Sequence, residues 1–168
     1  LSDADKLIGH NILGYDIPAI LDIEGVDLYD KKIVDTLVLS RLFQPNREGG
    51  HGLESWGYRL KFLKGDYGDD NEHAWDSFTP EMLEYCINDV KLNHKVYDHL
   101  KIESKGYTSK SVIIEHEVYK IITQQRKNGF LIDEKKCMLL LAELNELLVS
   151  VEDEVRQEFK PKATFRYL

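Results

Sequence analysis

The sequence contains little cysteine and has no cysteine–histidine group at the spacing of a zinc site. Its two cysteines, Cys86 and Cys137, both lie in helical patterns. This placement predicts buried thiols in a reducing compartment rather than a disulfide framework. The six histidines are His10, His51, His73, His94, His99 and His116. They show no ligand spacing, so the pattern alone indicates surface or packing residues.

The sequence also lacks a long hydrophobic run. No apolar stretch approaches the roughly 20 residues that span a bilayer, and no signal peptide, internal repeat or low-complexity segment is visible. The 168 residues are 42% hydrophobic and 31% charged, which is typical of a globular chain with one domain, or one domain and an appendage. We therefore expect no membrane partner.

The sequence has fewer basic than acidic residues: 22 lysines and arginines against 30 aspartates and glutamates, which gives a formal net charge of −8. This balance argues against a passive DNA-binding surface, which would be basic. It is compatible with an enzyme that meets phosphates through bound divalent cations, since such a site is itself rich in carboxylates.

Two short strands, each followed by a helix, are predicted in the first part of the chain. The strand candidates are "KLIGHN" and "KKIVD", and the helical patterns are "YDIPAILDIEG" and "TLVLSRLF". Asp16 and Asp35 stand at the helix starts, where a carboxylate caps backbone N–H groups, and Gly25 ends the first helix. "GLESWGYRL" predicts a further short helix. This order predicts an α/β fold for the first hundred residues.

A longer helix is predicted to open at Thr79 and Pro80. Its apolar stripe is formed by Met82, Leu83, Cys86, Ile87 and Val90. The stripe predicts that this face is buried against a sheet or another helix. Tyr85 and Asp89 flank it, four residues apart and on one helical face.

The remainder of the chain reads as a helical tail. A linker is predicted near 103–110 and a helix over 111–127, which ends at Asn128-Gly129. Asp133 is predicted to cap a long helix that reaches about residue 158. Its apolar seam consists of Leu141, Leu144, Leu148, Val151 and Val155. Such a tail needs a partner surface.

The acids and the tyrosine have ordinary interpretations when taken singly. Asp16 and Asp35 are good helix caps. Asp89 alone is most often a solvated helix residue, and Tyr85 alone a half-buried aromatic with a wet hydroxyl. Their joint order along the chain is more specific than any of them alone.

The segments "GHNILGYDIPAI", "IVDTLVLSRL", "HGLESWGYRL" and "YCINDV", in this order, resemble the 3′–5′ exonuclease domain of family A DNA polymerases. The similarity is greatest to the replicative polymerases of short-tailed phages. Asn11 through Asp16 resembles the second motif of the DEDD exonucleases. Tyr85-x-x-x-Asp89 resembles the third motif in its tyrosine form. The histidine form would need a histidine at position 84, where this sequence has Glu84. "IIEHEVYKIITQQRKNGFLIDEKK" resembles the junction with the polymerase domain.

The resemblance implies a ribonuclease H-like α/β fold, a mixed sheet flanked by helices, for 1–104, and the helical start of a polymerase domain for 105–168. It also implies a DNA polymerase with proofreading activity in the cytoplasm of the host cell. The implied partners are a single-stranded DNA 3′ end, the rest of the polymerase chain and a processivity factor.

The resemblance further implies two Mg²⁺ or Mn²⁺ ions, which prefer hard oxygen ligands. Asp89 would hold one ion, and Asp16 would reach the other through a water. Tyr85 would orient the nucleophilic water. Asn11 and His10 would lie near the terminal nucleotides of the substrate.

No strand candidate of the sequence carries the opening motif of that family, an Asp-x-Glu on the first strand. Asp3 and Asp5 have a similar spacing but lie too close to the second motif and lack a strand. We therefore expect a piece of a longer polypeptide, without its first strands and inactive alone. A ribonuclease D-like RNA exonuclease, a non-catalytic exonuclease-like scaffold and, for the tail, a plain helical interaction module remain open alternatives.

Overall fold

The computed structural model describes residues 1, 3–63, 65, 67–68 and 74–160. His73 lies outside the described residues. The chain forms two compact units, Leu1–Lys127 and Asn128–Leu168. The predicted domain boundary at 104/105 stays a prediction, because a compact unit and an inherited domain need not end at the same residue. The elements in chain order are β1 (Lys6–Gly9), α1 (Asp16–Glu24), β2 (Lys32–Asp35), α2 (Thr36–Phe43), α3 (Leu53–Leu60), α4 (Pro80–Glu103), α5 (Ser109–Asn128) and α6 (Glu134–Glu158).

The two strands pair in parallel and are joined through α1. Their register places Leu7 beside Ile33 and Gly9 beside Asp35. This pair is the whole sheet within the described residues. The predicted α/β fold followed by helices is confirmed. Because the strands are parallel, the segments that follow Gly9 and Asp35 leave the same edge of the sheet.

Side-chain caps explain the starts of α2, α4 and α6. The Asp35 carboxylate accepts from the N–H groups of Leu37 and Val38 at the start of α2, which confirms its predicted cap. Thr79 caps α4 and Asp133 caps α6, each by accepting a backbone N–H with its side-chain oxygen. Gly25 ends α1 in the left-handed conformation, with φ of 67°.

The predicted cap at Asp16 is wrong. Asp16 is the first residue of α1, Tyr15 precedes the helix, and no side chain caps it. Backbone carbonyls do this work instead, because the N–H of Ile17 donates to the carbonyl of Ile12 and that of Ala19 to Tyr15. The Asp16 carboxylate is therefore not needed for the helix start.

Two apolar clusters stabilise the first unit. Leu7, Leu13, Ile17 and Leu28 form one cluster around β1 and α1. Leu39, Trp56, Leu92, Val96 and Leu100 form the other, where α2 and α3 pack on α4. Burial of these side chains is the main favourable contribution to folding of the unit.

The prediction that the Met82–Val90 stripe is buried is wrong. Leu83, Ile87 and Val90 are exposed, Val90 at 70%. The buried residues of α4 lie in its second half, because α2 and α3 contact that half. The prediction of buried thiols is wrong for the same reason at Cys86, and Cys137 on α6 is exposed as well.

The second unit, Asn128–Leu168, contains α6. Its seam of Leu141, Leu144, Leu148, Val151 and Val155 is about half exposed, and no residue of α6 is buried. The need of this seam for a partner surface stays a prediction. In the described ranges of both units, no helix is long and apolar enough to cross a membrane.

Candidate functional site

A buried carboxylate, Asp35, organises the edge of the sheet. Besides capping α2, it accepts hydrogen bonds from the backbone N–H groups of Asn11 at 2.9 Å and Leu13 at 3.1 Å. Its side chain is fully buried. A buried carboxylate needs such donors to offset its lost hydration. Asp35 thus ties the loop after β1 to the start of α2.

The loop between β1 and α1 carries the predicted motif residue Asn11 in a left-handed conformation, with φ of 63°. Asparagine tolerates this conformation better than most residues. The Tyr119 hydroxyl on α5 donates to Asn11 Oδ1 at 2.8 Å. Gly14 packs so tightly here that an added Cβ would lie 2.4 Å from Asn11 Oδ1. The hydrogen bond from Tyr119 and the close packing of Gly14 therefore both restrict the conformation of this loop.

His10 belongs to a partly buried polar chain beside Asn11. Its Nδ1 lies 2.8 Å from Thr36 Oγ1, and the Thr36 hydroxyl donates to Asn93 Oδ1 on α4 at 2.7 Å. Burial lowers the pKa of His10 to about 4, an effect partly offset by the negative charge of Asp35. The ring is therefore neutral near pH 7. Its Nε2 is buried and has no hydrogen-bond partner within the described ranges.

Asp16 lies at the first position of α1, with an exposed side chain. Neighbouring protein atoms nevertheless remove part of its hydration, which raises the pKa of Asp16, and the negative charge of Asp35 raises it further. A nearby cation would counter both effects. The predicted role of Asp16 as a metal ligand stays a prediction.

Tyr85 and Asp89 lie one turn apart on α4, and both side chains are half-buried. The Tyr85 ring packs in an aromatic cluster with Tyr67 and Trp75, at centroid distances of 5.8 and 5.7 Å. These contacts place the phenol on a defined side of the helix. The other two residues of the cluster, Tyr67 and Trp75, come from the segment before α4.

The predicted residues are brought together only in part. His10 and Asn11 meet around Asp35 and Thr36. By contrast, no group of three or more histidine, cysteine, aspartate or glutamate side chains in the described part of the chain could hold a metal ion. The carboxylates of Asp16 and Asp89 are the right kind of donor for Mg²⁺ or Mn²⁺ but do not complete a site by themselves.

Sequence reasoning missed four residues of this network. They are Thr36, Asn93, His116 and Tyr119. His116 is buried, its Nε2 accepts from the Asp35 N–H at 2.9 Å, and its Nδ1 lies 2.7 Å from the Val112 carbonyl. The spacing in the sequence was a signal for three of them. His116 and Tyr119 are three positions apart and Asn93 follows Asp89 by four, so each pair shares one helical face.

Comparison with known proteins yields no matching family model. The chain is 28% identical to the DNA-directed DNA polymerase of Escherichia phage T7. It is equally identical to the DNA-directed DNA polymerase of Enterobacteria phage T3. Each alignment covers 93% of this chain and 30% of the relative, so the chain spans about a third of the length of these curated relatives. The predicted polymerase resemblance is therefore confirmed: the chain is homologous to a segment of phage DNA-directed DNA polymerases.

Proposed function

We propose that the chain is the 3′–5′ proofreading exonuclease portion of a DNA-directed DNA polymerase, which hydrolyses 3′-terminal nucleotides with two bound divalent ions. The segment itself supplies one side of the site and is inactive alone. The substrate is a single-stranded DNA 3′ end. The partners are the rest of the polymerase chain and a processivity factor, and the place of action is the cytoplasm of the host cell.

The observation that carries the proposal is the contact of α4 with the sheet edge. Asn93 Oδ1 accepts from Thr36, the first residue of α2 after β2, and Asn93 Nδ2 lies 3.5 Å from the carbonyl of Ile8 on β1. Tyr85, Asp89 and Asn93 follow one another at intervals of four residues, so they share one side of the helix. The contact at Asn93 supports an arrangement in which the Tyr85–Asp89 side of α4 faces the edge that carries Asn11.

The donor set fits divalent ions in kind but not in number. Asp16 and Asp89 would each offer one carboxylate, and the remaining ligands would come from outside this chain. Two such ions, when bound, activate a water and stabilise charge on the attacking and leaving oxygens. From its own residues, the chain would contribute the Tyr85 hydroxyl to orient that water. Asn11 and the neutral His10 would contact the terminal nucleotides.

The test uses the full-length polymerase that carries this chain. Mg²⁺-dependent release of 3′-terminal nucleotides from a labelled single-stranded oligonucleotide is measured beside primer extension. Asp89→Ala is expected to lower release by a factor of about 100 or more and to leave extension unchanged, because loss of a metal ligand removes charge stabilisation from hydrolysis alone.

Asp98→Ala is the matched control. Asp98 lies on the same helix and its carboxylate pairs with Lys101 and His94 at the surface. Its removal is expected to change neither activity. Unchanged nucleotide release by Asp89→Ala would refute the assignment of Asp89, and loss of release by both variants would indicate a general defect of α4.

A second candidate is a non-catalytic, exonuclease-like scaffold. It is favoured by the lack of a group of three metal-ligating side chains in the described part of the chain. Titration of the full-length protein with Mn²⁺ separates the two functions. Mn²⁺ binding that is lost in Asp89→Ala supports the nuclease, whereas equal Mn²⁺ binding by the wild type and Asp89→Ala supports the scaffold. A ribonuclease D-like function predicts preference for RNA 3′ ends, which the same release assay can compare with DNA.

A further inference from the structure

We propose that Tyr119 is a positioning residue that holds Asn11 for the 3′-terminal nucleotide. The inference rests on the proposed exonuclease function. Tyr119 lies on α5, within the stretch predicted to begin the polymerase domain, whereas Asn11 belongs to the second exonuclease motif. A residue from the polymerase side of the sequence thus takes part in exonuclease substrate binding.

The central contact is the hydrogen bond from the Tyr119 hydroxyl to Asn11 Oδ1, at 2.8 Å. Tyr119 is half-buried and packs against the cluster of Leu7, Leu13, Ile17 and Leu28. Its ring is therefore held by apolar contacts while its hydroxyl reaches the loop. With its oxygen held by Tyr119, the Asn11 amide would offer its N–H groups to an acceptor on the substrate.

The loop cannot easily move away from Tyr119. A Cβ added at Gly14 would lie 2.4 Å from Asn11 Oδ1 and 3.1 Å from the Tyr119 hydroxyl. The glycine therefore lets the three groups approach one another closely. The Asn11 backbone is held separately, because its N–H donates to the Asp35 carboxylate. Backbone and side chain of Asn11 are thus fixed by different partners.

A second residue of α5 supports the same arrangement. His116, one turn before Tyr119, accepts the N–H of Asp35 at 2.9 Å. Asp35 in turn holds the N–H groups of Asn11 and Leu13. One face of α5 therefore holds the loop in two ways. Tyr119 contacts the side-chain amide of Asn11 directly, and His116 holds the Asn11 backbone indirectly, through Asp35.

Tyr119→Phe is the direct test, in the full-length polymerase, because it removes one oxygen and keeps the ring. Release of 3′-terminal nucleotides is measured over a range of oligonucleotide concentrations. Contacts that hold substrate equally in the ground and transition states change KM and leave kcat. We expect KM to rise about 3- to 10-fold, as for loss of one hydrogen bond, with kcat within about twofold of wild type.

Tyr107→Phe is the matched control. The Tyr107 hydroxyl also donates one hydrogen bond, to the Phe43 carbonyl at 3.2 Å, but away from the loop. Asn11→Asp is the second variant, since it keeps the oxygen that accepts from Tyr119 and replaces the N–H donors. It is expected to raise KM to a similar extent. Tyr119→Phe should have no further effect in an Asn11→Ala background, because both changes act through one group.

Equal KM values for Tyr119→Phe and Tyr107→Phe would overturn the inference while the wild type still releases nucleotides. A full effect of Tyr119→Phe in the Asn11→Ala background, or an unchanged KM in Asn11→Asp, would overturn it as well. Failure of the wild-type polymerase to release 3′ nucleotides is a different result. It overturns the proposed function, and the inference with it.

Discussion

The backbone N–H of Asp35 donates a hydrogen bond of 2.9 Å to Nε2 of His116, 81 positions later in the sequence. The other ring nitrogen of His116 lies 2.7 Å from the Val112 carbonyl, to which it can only donate. The two contacts together require the neutral ring with its proton on Nδ1. A strand end and a distant helix are thereby joined inside the first unit.

Replacement of His116 by alanine should destabilise the first unit. The change leaves the N–H of Asp35 buried without an acceptor, which costs about 1–3 kcal/mol. The measurement is the free energy of unfolding in urea. His94→Ala, at an exposed position on α4, is the control and should change that energy little. Equal effects of the two variants would contradict the role assigned to His116.

Replacement of Gly14 by alanine should displace the Asn11 side chain. The added methyl group would overlap Asn11 Oδ1, so the hydrogen bond from Tyr119 must break or the loop must shift. We expect a loss of about 1–3 kcal/mol in the free energy of unfolding. Gly52→Ala is the control, because nothing lies within 4 Å of its added Cβ. A Gly14→Ala protein as stable as Gly52→Ala would argue against the close packing.

Acid should weaken the fold through His10. Burial lowers the pKa of the folded His10 to about 4 from its ordinary 6.5, so between these values the unfolded chain binds a proton that the folded chain does not. The stability contributed by neutral His10 is complete above about pH 6.5 and is lost as the pH falls toward 4. Between pH 7 and pH 5 this amounts to about 2 kcal/mol.

His10→Gln should reduce that pH dependence. The free energy of unfolding is compared at pH 7 and pH 5 for the wild type, for His10→Gln and for the exposed control His94→Gln. The wild type and the control should lose the larger amount on acidification. An equal loss in all three proteins would show that His10 titrates normally.

The pair Arg47–Glu103 should carry more stability than the surface pairs of α4. The Arg47 guanidinium donates two hydrogen bonds to Glu103 and lies 4.4 Å from the Trp56 ring, with only 4% of its side chain exposed. Arg47→Met leaves the partly buried Glu103 carboxylate with His99 as its remaining partner, at a cost of about 2–4 kcal/mol. Thermal unfolding measures the change.

Lys101→Met serves as the control for this pair, because Lys101 meets Asp98 at the surface of the same helix. The hydrogen bonds from Arg47 lower the pKa of Glu103. The contribution of this carboxylate is therefore present above its ordinary pKa and is lost as the pH falls through the lowered one. A melting temperature as high for Arg47→Met as for Lys101→Met would contradict the prediction.

Much of the element order could be predicted from the sequence. The caps at Asp35, Thr79 and Asp133 and the end of α1 at Gly25 depend on residues within three or four positions of one another. Such local hydrogen bonds are encoded in short stretches of sequence. Asp16 was the exception. Its side chain was expected to accept hydrogen bonds from N–H groups at the helix start, but these groups donate to backbone carbonyls of the preceding loop instead.

The buried face of α4 could not be predicted in the same way. The apolar stripe from Met82 to Val90 has the periodicity of a buried face, yet Leu92, Val96 and Leu100 are the residues that α2 and α3 cover. Periodicity shows which residues share a face of a helix, but it does not show which part of the helix packs against another element.

The motif residues of the candidate site, Asn11 through Asp16 and Tyr85 with Asp89, could be named from their order in the sequence, and their chemical roles stay predictions. The sequence by itself determined the caps, the strands and this order, because each depends on neighbours along the chain. Only the tertiary structure decided that Asp35 accepts from the loop at Asn11 and that His116 and Tyr119 reach the same place. Those contacts join residues 24 to 108 positions apart, and packing of distant elements alone brings their atoms within hydrogen-bond distance.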